Sequence, residues 1–136
     1  MRRAVGGLWG DARGGAVLEF AILAPVLFSF LLGIVEMGRM FYVRQALEYA
    51  TEEAARYYML NPSSASGAIT TYLQGKMAGG MSSGISVIYA DTASCNGNSA
   101  VTCTNITASY TFTSMVAILG LGNSLLRAKA QAVRVQ

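Results

Sequence analysis

The sequence predicts an α+β protein: one long N-terminal helix, transmembrane in its first half, a short second helix, and a small antiparallel three-stranded meander packed on the helix's outer half. Three observations carry this. Residues 16–35 read AVLEFAILAPVLFSFLLGIV, with Glu19 as the only charge, and about twenty such residues cross a ~30 Å hydrocarbon layer as a helix. An amphipathic helical pattern then continues to Asn61-Pro62. From Ile85 onward the period changes to two.

Composition agrees. Of 136 residues, 53% are hydrophobic and 12% charged, against about a quarter charged in an ordinary soluble domain. Because the apolar excess is concentrated in one run, a purely cytosolic enzyme is excluded. The chain has no histidine and only seven acids, which removes most general-base, triad and imidazole-metal chemistry.

The long helix is expected from about residue 15 to 60. Met40, Val43, Leu47, Ala50, Ala54 and Tyr57 recur at 3-4-3-4-3 spacing and form one apolar seam. Arg44, Glu48, Glu52 and Arg56 occupy another face, with Glu52 and Arg56 in the favourable i,i+4 order. Pro25 is a potential kink, and Gly33 and Gly38 are tolerable. At 1.5 Å per residue such a helix is about 65–70 Å long, so its outer turns must pack on something. Tyr42, Tyr49, Tyr57 and Tyr58 read as packing residues with polar tips.

After the turn at Pro62, Ile69, Tyr72, Leu73 and Met77 share a face of a short helix that Gly79-Gly80 ends. Ile85, Val87 and Tyr89 alternate with Ser86, Ile88 and Ala90. Ile106, Ala108, Tyr110 and Phe112 alternate with Thr107, Ser109, Thr111 and Thr113, and Leu126, Ala128, Ala130 and Ala132 with Arg127, Lys129 and Gln131. Three strands with no intervening helix make a meander. The connection from Met115 to Ser124 is unusually apolar, which suits either a loop closing the small core or a contact patch for a partner or the membrane surface.

No catalytic constellation stands out. Glu36, Glu48, Glu52 and Glu53 read as a solvated helix face, with Asp91 the remaining outer acid. Gly6-Gly7, Gly79-Gly80 and Gly120-Leu-Gly122 lack the strand-loop-helix setting of a phosphate loop. No metal or cofactor site is expected, and no nucleic acid or small-molecule substrate. Cys95 and Cys103 bracket a polar loop with no further zinc ligand nearby. A local disulfide is the expected state, two free thiols the alternative. The bond would contribute roughly 2–3 kcal/mol and requires an oxidising compartment such as the periplasm.

Orientation follows from charge. Arg2, Arg3 and Arg13 outnumber Asp11 ahead of the span, three to one, and positive flanks tend to stay cytoplasmic. The apolar run exceeds the core of a cleaved secretory signal, and no small-x-small site closes it. Domain boundaries are accordingly a basic leader at 1–14, a transmembrane helix at 15–36 and an outer α+β domain at 37–136. A carboxylate inside a membrane helix is costly and marks a functional contact, which singles out Glu19.

Gly14, followed by Gly15-Ala16-Val17-Leu18-Glu19-Phe20, resembles the type IV prepilin cleavage pattern of Gly, four residues, then Glu and an aromatic. The stretch GGAVLEFAILAPVLFSFLLGIVEMGRMFY is similar to the TadE-like family of minor pseudopilins of the tight-adherence (Flp) pilus. SYTF and the strand LLRAKAQAV also resemble that family's ending.

The resemblance implies a membrane-anchored, structural protein, not an enzyme, that acts in pilus assembly or initiation. It implies cleavage between Gly14 and Gly15 by a prepilin peptidase, and a role for Glu19 and Phe20 in assembly through the new N-terminus. The implied partners are that peptidase, other pilins or pseudopilins with their assembly platform, and the lipid bilayer. The implied place is the bacterial inner membrane, N-terminus cytoplasmic and C-terminal domain periplasmic. The alternative reading is an uncleaved single-span periplasmic binding or scaffold module of an envelope secretion complex.

Overall fold

The computed structural model describes residues 14–61, 63–64, 66–77, 81, 83–92, 95, 100–115 and 122–135. Its elements are α1 (Gly15–Leu60), α2 (Ser66–Lys76), β1 (Ile85–Thr92), β2 (Val101–Thr113) and β3 (Asn123–Val135). The leader, most of the loop between the two cysteines and residues 116–121 of the apolar connection lie outside the described residues.

Helix α1 runs unbroken through Pro25 for 46 residues. Proline removes a backbone donor there, and one turn later the Ser29 hydroxyl donates to the Pro25 carbonyl at 2.7 Å. The helix ends where Asn61 supplies both its backbone N–H and its side-chain amide to the Tyr57 carbonyl, each at 3.0 Å. Two such donors satisfy a carbonyl that the last turn would otherwise leave open.

Along this rod the chain divides at one residue. None of the side chains from Gly15 to Val35 is buried by the protein, and the apolar window has a mean hydropathy of 2.3. The first buried residue of the helix is Glu36, followed by Val43, Leu47, Ala50, Thr51, Ala54 and Ala55. The predicted seam is thus the packed face, with Met40 and Tyr57 half-buried at its ends.

The sheet is antiparallel in the order β1-β2-β3. Ile85 pairs with Tyr110, and Ile106 with Ala130. β2 and β3 are each 13 residues long and begin earlier than their clean alternation suggested, β2 at Val101 opposite Val135 and β3 at Asn123 opposite Thr113. Gly84 and Gly122 take positive φ, 136° and 50°, at the entries to β1 and β3, conformations that side chains disfavour. α1 lies across β2 and β3, and α2 packs on α1 and β1.

Small residues set the spacing. Ala50 and Ala54 meet Ala108 and Ala128, together with Leu47, Ile69, Leu73 and Met77, while Ala55 packs with Ile106 and Ala132. Methyl groups on both sides let the helix approach the sheet closely, and dispersion contacts accumulate over that length. Tyr57 stacks on Tyr72 at 4.4 Å between centroids, tying α2 to α1. The Tyr89 phenol, raised above its ordinary pKa by burial, shares a 3.0 Å hydrogen bond with Thr70. Tyr58 takes a 2.8 Å hydrogen bond from Arg134. Tyr42 and Tyr49, expected to pack, are instead 56% exposed, since both point away from the seam.

Candidate functional site

Three places carry chemistry, strung along the length of α1: its N-terminal start, its exit from the apolar run, and the far end of the sheet. At the start, Gly14 is the N-cap, with φ −79° and ψ −23° and no side-chain cap. Its carbonyl accepts the Leu18 N–H at 3.1 Å. A Cβ placed on Gly15 would meet nothing within 4 Å. Gly14, Gly15, Glu19 and Phe20 are all exposed, and Glu19 stands one turn beyond Gly15. The Gly14–Gly15 bond therefore lies where the helix begins, with no obstructing side chain among the described residues.

At the far end of the sheet, Cys95 and Cys103 are joined in a disulfide, with Cα atoms 5.2 Å apart. Cys103 pairs with Thr92 on one side and Val133 on the other, so the bond staples the chain entering β2 to the core of the sheet. The Cys95 N–H donates to the Val101 carbonyl at 3.0 Å. Nearby, Thr104 donates to Asp91 at 2.6 Å.

The exit from the apolar run holds a constellation that sequence reasoning missed. Glu36 is not part of a solvated stripe; it is 4% exposed. Its Oε1 accepts the Met115 backbone N–H at 2.9 Å and an Arg39 guanidinium N–H at 3.2 Å, and its carboxylate also accepts from the Ser114 hydroxyl. The same Arg39 nitrogen donates to the Thr113 carbonyl, and the guanidinium lies 4.4 Å from the Phe112 ring centroid. Arg39 Nε is buried without a hydrogen-bond partner among the described residues, so the cation is held partly by the ring face.

A signal for this clasp was available. Counting four residues back from Met40 puts Glu36 on the apolar seam, and Arg39 follows at i+3. Glu48 and Glu52 stand on an exposed face as expected, whereas Glu53 is partly covered. Arg44 pairs with Glu48 at 3.0 Å, but Arg56 pairs with Glu53 at 3.6 Å and not with Glu52. Glu53 is only 24% exposed at its side chain, and its packed stem brings the carboxylate within reach of Arg56.

Fold and site together define a class: a protein with, among the described residues, one helix long and apolar enough to cross a membrane, whose outer half forms the spine of an α+β head. Residues 14–56 match the family model of TadE-like proteins, a likeness that lies within α1. The match begins at Gly14 and covers most of α1; the likeness of the C-terminal strands lies outside it. No curated protein and no solved structure matches the chain. A TadE-like segment on a single apolar N-terminal helix fits a membrane-anchored component of the tight-adherence pilus system.

Proposed function

We propose that this protein is a minor pseudopilin that helps initiate or assemble a tight-adherence pilus, in a structural and not a catalytic capacity. The observation that carries the reading is the family match starting at Gly14, the residue that caps the membrane helix. In this reading the leader faces the cytoplasm, the head is periplasmic, and a prepilin peptidase cuts between Gly14 and Gly15. A peptidase at the cytoplasmic face needs its scissile bond where a polar leader meets an apolar helix. Here the first turn that must open is held at the Gly14 carbonyl by the Leu18 N–H and has no side-chain cap.

Cleavage removes Arg2, Arg3, Arg13 and Asp11, taking the formal charge from +3 to +1, seven basic minus six acidic residues. It leaves an ammonium at Gly15, one turn from Glu19. In an assembly the Glu19 carboxylate pairs with the Gly15 ammonium of a neighbouring subunit, which offsets its burial and sets the axial register. Ser29, Gly33 and Gly38 leave a shallow apolar groove bordered by Val26, Phe30 and Phe41, a surface of the small-residue kind on which membrane helices pack.

N-terminal sequencing of the protein purified from a piliated host tests this reading. A mature chain beginning at Gly15 is the expected result. A chain that still begins at Met1 would remove the pseudopilin mechanism and leave an anchored scaffold module in its place.

A further inference from the structure

We infer that the base of the head, Met115 at the foot of β2 and Leu125 at the foot of β3, is seated in the lipid headgroup layer of the leaflet on the head's side. The inference rests on the membrane-anchor reading of α1 and adds a second, non-helical lipid contact to it.

The helix sets the depth. Glu19 lies near one end of the apolar run and Glu36 just past the other; they are 17 positions apart, about 26 Å at 1.5 Å per residue, slightly less than the ~30 Å hydrocarbon thickness. Sliding the rod either way drives one carboxylate deeper into hydrocarbon, which is costly. Glu36 therefore sits at the edge of the apolar layer. Phe41 and Tyr42, 52% and 56% exposed, follow about 8–9 Å further along the rod, where aromatic side chains gather in the interface.

The clasp sets what else lies at that depth. Met115 is hydrogen-bonded through its backbone to Glu36, and Thr113 through its carbonyl to Arg39. The base of the head therefore cannot stand clear of the interface while the helix spans the bilayer. Ser124, at the start of β3, lines a pocket of about 190 Å³ with Glu36, Met37, Met40 and Phe112, which brings the next strand to the same level. Beside the exposed Thr113 and Asn123, two large apolar side chains are presented there: Met115 is 79% exposed and Leu125 54%. Exposed thioether and isobutyl groups next to a span are continuous with its lipid-facing surface, and a bilayer is the occupant that continuity selects.

The test uses the full chain reconstituted in phosphatidylethanolamine–phosphatidylglycerol vesicles, with a nitroxide label at one of three positions: Met115→Cys, Phe28→Cys within the span, or Asn105→Cys on the exposed face of the sheet. Relaxation by oxygen, which partitions into lipid, is compared with relaxation by a water-soluble nickel chelate. The Met115 label is expected to show an oxygen-to-nickel ratio several-fold above that of the Asn105 label and below that of the Phe28 label. A Met115 ratio equal to that of Asn105, with Phe28 still reporting lipid, overturns the inference and leaves the anchor intact. A Met115 label shielded from both reagents also overturns it, since protein then covers the base of the head. A Phe28 label that reads as water overturns the anchor itself.

Discussion

The Oε1 of Glu36 accepts the backbone N–H of Met115 at 2.9 Å, linking a residue at the end of the apolar run to one 79 positions later in the chain. This bond and the Arg39 contacts to Thr113 and Phe112 tie the end of β2 to α1 where its apolar run ends.

Removing that acceptor should loosen this tie first. In Glu36→Ala the Met115 amide loses its partner and Arg39 loses its counter-ion. Glu36→Gln keeps an oxygen for the amide and loses the charge. Hydrogen–deuterium exchange over residues 113–115 should be fastest in the alanine variant, intermediate in the glutamine variant and slowest in the parent. Equal protection in all three would show that the clasp does not hold β2.

The core prediction concerns Leu47, which is fully buried against the sheet and α2. Leu47→Ala should cost about 2–5 kcal/mol through lost contacts and a residual cavity, and Leu47→Asp should unfold the head outright. Limited proteolysis of detergent-solubilised protein reads both. A head of Leu47→Asp that resists protease as well as the parent would contradict the packing.

The alanine interface should tolerate little growth. Ala132 is fully buried beside Ala55 and Ile106, and Ala132→Leu inserts three carbons where helix and sheet touch. Overpacking of this kind costs about 1–3 kcal/mol. Denaturant titration of the variant in detergent should show the lower midpoint, whereas a leucine at exposed Gln131 should leave it in place.

The disulfide should be intact in exported protein and absent from protein retained in a reducing cytosol. Alkylation and mass measurement separate the two states. The Cys95→Ser, Cys103→Ser double variant should lose roughly 2–3 kcal/mol of head stability, the amount expected for closing a short loop, while remaining membrane-inserted. Two alkylated cysteines in exported protein would sink the bond.

Glu19→Ala should insert in the membrane yet fail in pilus assembly, and Glu19→Asp should retain part of the function. Pilus shearing followed by blotting for assembled subunits measures the difference. Full assembly of the alanine variant would leave Glu19 as an interfacial side chain without a pairing role.

Local pattern alone determined the long helix, the seam from Met40 to Tyr57, the change of period at Ile85 and the polar face of β3. Each depends on neighbours a few residues apart, so spacing and chemistry suffice to read it. The partners of the charges were decided only in three dimensions. Spacing alone sets Glu36 on the seam and Glu48 off it, but what covers Glu36 is the end of β2, whose Met115 amide reaches the carboxylate and whose Thr113 carbonyl reaches Arg39. Arg56 chose Glu53 over Glu52 for the same kind of reason, since packing fixed which carboxylate it could reach. A buried carboxylate is stable only if donors converge on it, and here those donors come from residues more than seventy positions apart in the chain, a convergence that only the folded sheet supplies.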